Sequence, residues 1–114
     1  MDIVNIIFAL ISIALGVFGW LGPKYTMETL NLTGHTDTMG MSELRASAGA
    51  LFIGMGLGAV IIGTPAAFAM LGFCWAGAAV GRATSLLLDG TTRKKWGFFA
   101  VEAAVAIAAL AYNL

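Results

Sequence analysis

Residues 77–90, GAAVGRATSLLLDG, place one arginine, Arg82, inside a run that is otherwise small or aliphatic. A guanidinium cannot be neutralised by losing its proton in a protein, so its surroundings must accept its hydrogen bonds. In water that demand is met by the solvent. Here the solvent is read as lipid: of 114 residues 60% are hydrophobic and only 11% charged, whereas soluble domains carry about a quarter charged residues. An arginine within a membrane span costs about 2.5–3.5 kcal/mol on insertion scales, so Arg82 requires a partner or a purpose.

Working outward from Arg82, the chain divides into four apolar runs, each close to the roughly 20 residues a bilayer crossing needs. The predicted fold is all-α, an integral membrane antiparallel four-helix bundle forming a single domain over 1–114, with spans at about 3–22, 43–62, 66–88 and 96–112. The first run begins at the N-terminus. It carries Asp2 where a signal peptide has a basic region, so it is read as a retained span. That span ends at Gly22-Pro23, which cannot continue a helix. The polar segment 23–40 reads as a loop with a short interfacial helix around 27–32. Ser42 is the expected N-cap of the second span, Gly63-Thr64-Pro65 a tight turn between antiparallel helices, and Asp89-Gly90 the stop of the third span.

Height and angle give Arg82 its partner. Arg82 lies six residues before Leu88 and Glu102 six residues after Trp96, which puts both about 9 Å below the same interface at 1.5 Å per residue. At 100° per residue, Trp75, Ala78, Arg82, Ser85 and Asp89 share a stripe about 60° wide, and Lys95, Phe98, Glu102, Ala106, Ala109 and Asn113 one of about 80°. On the second span Glu43, Ser47, Ala50, Gly54 and Leu57 share a face, with Arg45 on the opposite side. These stripes predict an intramembrane polar cluster of Glu43, Arg45, Ser47, Arg82, Ser85, Asp89 and Glu102, with Glu43, Ser47, Arg82, Ser85 and Glu102 lining a pocket open to the cytoplasm. Two readings stand side by side. Either Arg82 and Glu102 are a structural pair fixing register, or the cluster binds the polar head of a ligand or relays a proton.

The pairs Gly54/Gly58 and Gly77/Gly81 have the small-xxx-small spacing that lets helix backbones approach closely in lipid. They are predicted to serve helix packing, within the chain, in a homodimer, or along a ligand groove. The lone His35 sits in a Thr-rich loop without a second His or a neighbouring Cys, so a metal site is not expected. No Ser–His pair or Gly-rich phosphate loop is present, so no catalytic residue is assigned. Cys74, the single cysteine, excludes an internal disulfide and is read as a packing residue. A formal charge of zero gives no field to attract nucleic acid. The basic residues near span ends, Lys24, Arg45, Arg93, Lys94 and Lys95, all fall on the two long connections, so the positive-inside rule predicts those connections in the cytoplasm and both termini outside.

The strings SELRASAGALFIGMG (42–56) and GRATSLLLDG (81–90) resemble a family of small bacterial inner-membrane proteins known as domain of unknown function 4345. The likeness covers nearly the whole chain, and at Glu43, Arg45, Arg82, Ser85 and Asp89 the sequence matches the family pattern. Glu102 is supported by the height argument alone. The resemblance implies a location in the bacterial inner membrane and transfers no activity. In helix count and in the polar opening of span two, the chain is also similar in architecture to four-helix scaffold proteins of sterol biosynthesis, which tether enzymes. The expected function is therefore non-enzymatic: a scaffold or accessory subunit whose partners are the lipid bilayer and other membrane subunits or a second copy, with no nucleic acid. The alternative is a carrier for a small amphipathic ligand, a lipid, quinone or pigment, held at the Arg/Glu pocket. No cofactor is assigned.

Overall fold

A computed structural model describes residues 2–34 and 37–114; His35 and Thr36 lie outside the described residues. Among the described residues the regular structure is entirely helical: α1 (Ile3–Leu21), α2 (Pro23–Thr29), α3 (Met39–Arg45), a π-helical turn (Ala46–Ala50), α4 (Leu51–Ile62), α5 (Pro65–Leu88) and α6 (Arg93–Asn113). Four helical stretches are long and apolar enough to cross a membrane, namely Ile3–Leu21, Met39–Ile62, Pro65–Leu88 and Arg93–Asn113. The chain is a membrane protein on that basis. It is built of two compact units, residues 2–61 and residues 62–114.

The first unit begins with a cap. The Asp2 carboxylate accepts from the Val4 N–H at 2.9 Å, which satisfies one orphan donor and places negative charge at the positive end of α1. At the other end the Gly22 N–H bonds the Phe18 carbonyl at 2.9 Å. The loop expected after Pro23 is instead a helix from its first residue. Proline has no N–H to lose at the first helical position, and the Thr26 hydroxyl stitches the joint by donating to the Phe18 and Gly22 carbonyls at 3.0 and 2.9 Å. The end of α2 is a Schellman turn: Asn31 adopts φ 57°, its N–H bonds Glu28 O at 3.2 Å, and the Leu32 N–H bonds Met27 O at 2.8 Å.

The second span starts earlier than Ser42 predicts, at Met39, because the Asp37 carboxylate already accepts from the Met39 N–H at 3.0 Å. It is also interrupted. At Gly49 the backbone leaves the helical region, with φ −119° and ψ −105°, inside the π-helical turn. This is where α1 crosses it. A Cβ on Gly49 would stand 2.6 Å from Trp20 N, one on Gly16 2.6 Å from Gly49 O, and one on Gly56 2.8 Å from Ala9 O. The order of these contacts, rising along one helix as it falls along the other, makes the pair antiparallel. Asn5, Phe8, Ala9, Ser12, Gly16 and Gly19 form the buried stripe of α1, at the 3–4 residue spacing of one helix face.

In the second unit α5 and α6 are joined by a short turn. Thr64 accepts from Ala67 N at 3.3 Å, Pro65 takes the first position of α5, and Thr92 caps α6 by accepting from Lys95 N at 3.1 Å. The Lys95 ammonium donates to Gly90 O at 2.9 Å, holding the turn against the start of α6. Further along, a Cβ on Gly72 would be 3.1 Å from Ala109 Cβ and 3.1 Å from Leu110 Cγ, so the two helices approach closely at their far ends as well.

The packing glycines are thus Gly16, Gly19, Gly49, Gly56 and Gly72. Gly54, Gly58, Gly77 and Gly81 make no such contact within their own units: an added Cβ at any of them meets no described residue of its unit within 4 Å. Spacing alone could not separate the two sets, because a four-residue interval says that two glycines share a face and not what that face touches. Gly49→Ala should therefore lower stability by about 1–3 kcal/mol through overpacking against the α1 backbone, whereas Gly54→Ala should leave it unchanged or raise it by up to about 1 kcal/mol through helix propensity. Equilibrium unfolding in mixed detergent micelles checks both signs.

Candidate functional site

Arg82 and Glu102 meet as the height argument predicts. The guanidinium Nε donates to Oε1 at 3.0 Å and Nη2 donates to Oε2 at 3.1 Å. Both carboxylate oxygens are engaged by one fork, the geometry that makes Arg–carboxylate pairs stronger than single ionic contacts. The Phe98 ring lies under the cation, its centroid 5.2 Å from Cζ. Phe98 precedes Glu102 by one helical turn on α6, so the residue that accepts the charge and the residue that faces its π-surface come from one stripe. The side chain of Glu102 is 13% exposed and that of Arg82 is 32% exposed. The carboxylate is the covered partner and the guanidinium keeps an open side.

The remaining residues of the predicted cluster are divided between the two units. Ser85 is half-buried on α5, one turn beyond Arg82, and Asp89 is the exposed residue that closes α5, its N–H bonding Ser85 O at 2.8 Å. Glu43 and Ser47 belong to the other unit, where both are exposed and the Ser47 hydroxyl donates to the Glu43 carbonyl at 2.7 Å. Arg45 has a structural role the sequence did not suggest. Its Nη1 donates to Trp20 O at 2.6 Å, so a cation capping the last turn of α1 satisfies one of the orphan carbonyls there and complements the negative end of the helix. The placement of Arg45 opposite Glu43 on the helix wheel was the one available signal.

Cys74 is half-buried and unpaired as a thiol. Among the described residues no three of His, Cys, Asp or Glu come together as a metal-binding group, and the reading of His35 falls outside those residues. Residues 1–113 match the family described as Domain of unknown function (DUF4345). The chain belongs to this family. No curated protein and no solved structure matches it. In this DUF4345 chain the site that the geometry assembles is therefore the Arg82–Glu102 pair with Phe98 and the neighbouring Ser85.

Breaking the pair from either side leaves one charge facing hydrocarbon. Arg82→Leu or Glu102→Leu alone should destabilise the protein by about 2–3 kcal/mol, the order of an unpaired charge within a span. The double substitution should recover most of that loss, since apolar replacement of a whole buried pair is often neutral or better. A double-mutant cycle on unfolding free energies measures the coupling, and additive single effects would contradict it. For Arg45→Met, loss of the capping bond to Trp20 should cost about 1–2 kcal/mol, read in the same assay.

Proposed function

We propose that this protein is a non-enzymatic accessory or scaffold subunit of the bacterial inner membrane that docks onto larger membrane proteins through the glycine-bearing faces of α4 and α5. The reading rests on where its glycines are. A helix-interior glycine costs about 1 kcal/mol relative to alanine. Gly16, Gly19, Gly49, Gly56 and Gly72 offset that cost with backbone contacts inside the chain. Gly54 and Gly58 on α4 and Gly77 and Gly81 on α5 make no such contact within their own units, yet each pair keeps the spacing of a close helix–helix contact. Lipid supplies no return for such a notch, since acyl chains are served better by a bulky side chain. A helix from another subunit does supply one, through backbone approach and dispersion.

The surrounding side chains fit that role. Leu51, Leu57 and Ile61 flank the α4 notch and Met70, Phe73 and Val80 the α5 notch, all of them exposed. In the proposed orientation Lys24, Arg45, Arg93, Lys94 and Lys95 lie on the cytoplasmic side and both termini outside. Trp20 and Trp96, both exposed, then sit at the cytoplasmic interface and Tyr112 at the other.

Isolation of the full chain in native-lipid particles should yield a larger integral membrane protein in fixed proportion. Gly54→Ile with Gly58→Ile, or Gly77→Ile with Gly81→Ile, should reduce the co-isolated protein at least about tenfold while leaving the melting temperature unchanged. Elution of the chain by itself from native lipid, or full retention of the partner by both double variants, would remove the basis for this reading.

A further inference from the structure

The polar atoms of the α5–α6 hairpin do not close on themselves. A guanidinium carries five N–H donors, and Glu102 takes two of them, through Nε and Nη2. The two on Nη1 and the second on Nη2 make no hydrogen bond among the described residues, and Arg82 is not among those with further interactions. No buried side-chain nitrogen or oxygen lacks a partner among the described residues, so the unbonded Nη1 and its two donors lie on the open side of the guanidinium. A second spare group adjoins them. In the apolar helices Ser12, Ser47 and Thr84 each donate to the carbonyl four residues back, at 3.1, 2.7 and 2.9 Å, the usual refuge of a hydroxyl without water. The half-buried Ser85 hydroxyl makes no such bond among the described residues, and it stands one turn from Arg82 on the same stripe of α5.

We propose that Arg82 and Ser85 form a binding site for the carbonyl oxygen of an uncharged, lipid-soluble amphiphile entering from the bilayer. Charge selects the class. Both Glu102 oxygens are held by Arg82, so the pair is neutral, and an anionic head group would have to compete with a carboxylate already seated in the fork. A carbonyl brings acceptor lone pairs, no charge and no donor needing a partner of its own. Position favours the bilayer as the source phase: Arg82 is six residues inside the end of α5, about 9 Å along its axis, and within the hydrocarbon a donor left without an acceptor is costly. A quinone ring and the ester linkage of a diacyl lipid both present this group. The site goes beyond the accessory role and stands independently of it, since the glycine notches contribute none of its atoms.

The test uses the full chain in nanodiscs, with the arginine side chains followed by nitrogen-15 NMR. Titration with decyl-benzoquinone should shift the Arg82 guanidinium signals saturably. Ser85→Ala, which keeps the ion pair and the fold, should weaken the apparent affinity about threefold or more, and Arg82→Leu with Glu102→Leu at least about tenfold. If the quinone is inert but exchanging diester for diether phospholipid shifts the same signals, the carbonyl recognised is that of the lipid ester and the site stands. Arg82 signals that respond to neither change, or a quinone affinity unaltered by Ser85→Ala and by the double variant, would overturn the proposal. Neither result bears on co-isolation of a larger subunit.

Discussion

The Arg82–Glu102 fork is the constraint from which the second unit follows. Apolar burial drives helix association in water but not in lipid, where acyl chains are as apolar as leucine. Something more specific has to hold α5 against α6, and a bidentate charged pair at one height does so with a defined register. With Arg82 beside Glu102, Gly72 comes to lie beside Ala109 and Leu110, and the absence of a Cβ there lets the helices stay close beyond the polar contact. The short turn carrying Gly90, at φ 88°, then needs only the Lys95–Gly90 bond and the Thr92 cap to close.

The first unit solves the same problem without an ion pair. Its helices meet backbone to backbone, and the price is a break in regular geometry where they cross. The π-helical turn at Ala46–Ala50 brings Gly49 against Gly19 and Trp20, and Arg45, just before that turn, reaches across to the Trp20 carbonyl. A charged side chain thus stabilises a helix end here, where the other unit uses one to pin a helix face. The two arginines named together from the sequence have different chemistry because their acceptors differ: a carboxylate that neutralises charge in one case, a carbonyl dipole in the other.

Much of this was legible in the sequence, and the limits have physical causes. Span positions could be read because 20-residue apolar runs are set by bilayer thickness. The ion pair could be read because helical rise and rotation are constant, so height and angle follow from residue number alone. Caps were less reliable: Ser42 was the better N-cap by residue type, but Asp37 lies nearer the first free N–H and the helix begins there. The Gly49 break was hidden, since nothing local distinguishes it from Gly54. The packing face of α1 was available in the spacing of Ala9, Ser12, Gly16 and Gly19, and it outranked the more familiar four-residue glycine pairs that drew the packing assignment.

The structural and ligand-binding readings of Arg82 are not competitors once its donors are counted. A fork that holds a carboxylate uses two N–H groups, and a pair made solely to fix register could have covered the rest with helix carbonyls or with the Ser85 hydroxyl, as the Thr84 hydroxyl is covered by Val80 O. Instead the covered member is Glu102 and the more exposed member is Arg82. That asymmetry leaves the guanidinium the better solvated charge, since burial penalises each member of an ion pair. It makes Glu102 the group that positions and neutralises the guanidinium, with Phe98 covering one face of the cation, and leaves three of the five Arg82 N–H groups without an acceptor among the described residues.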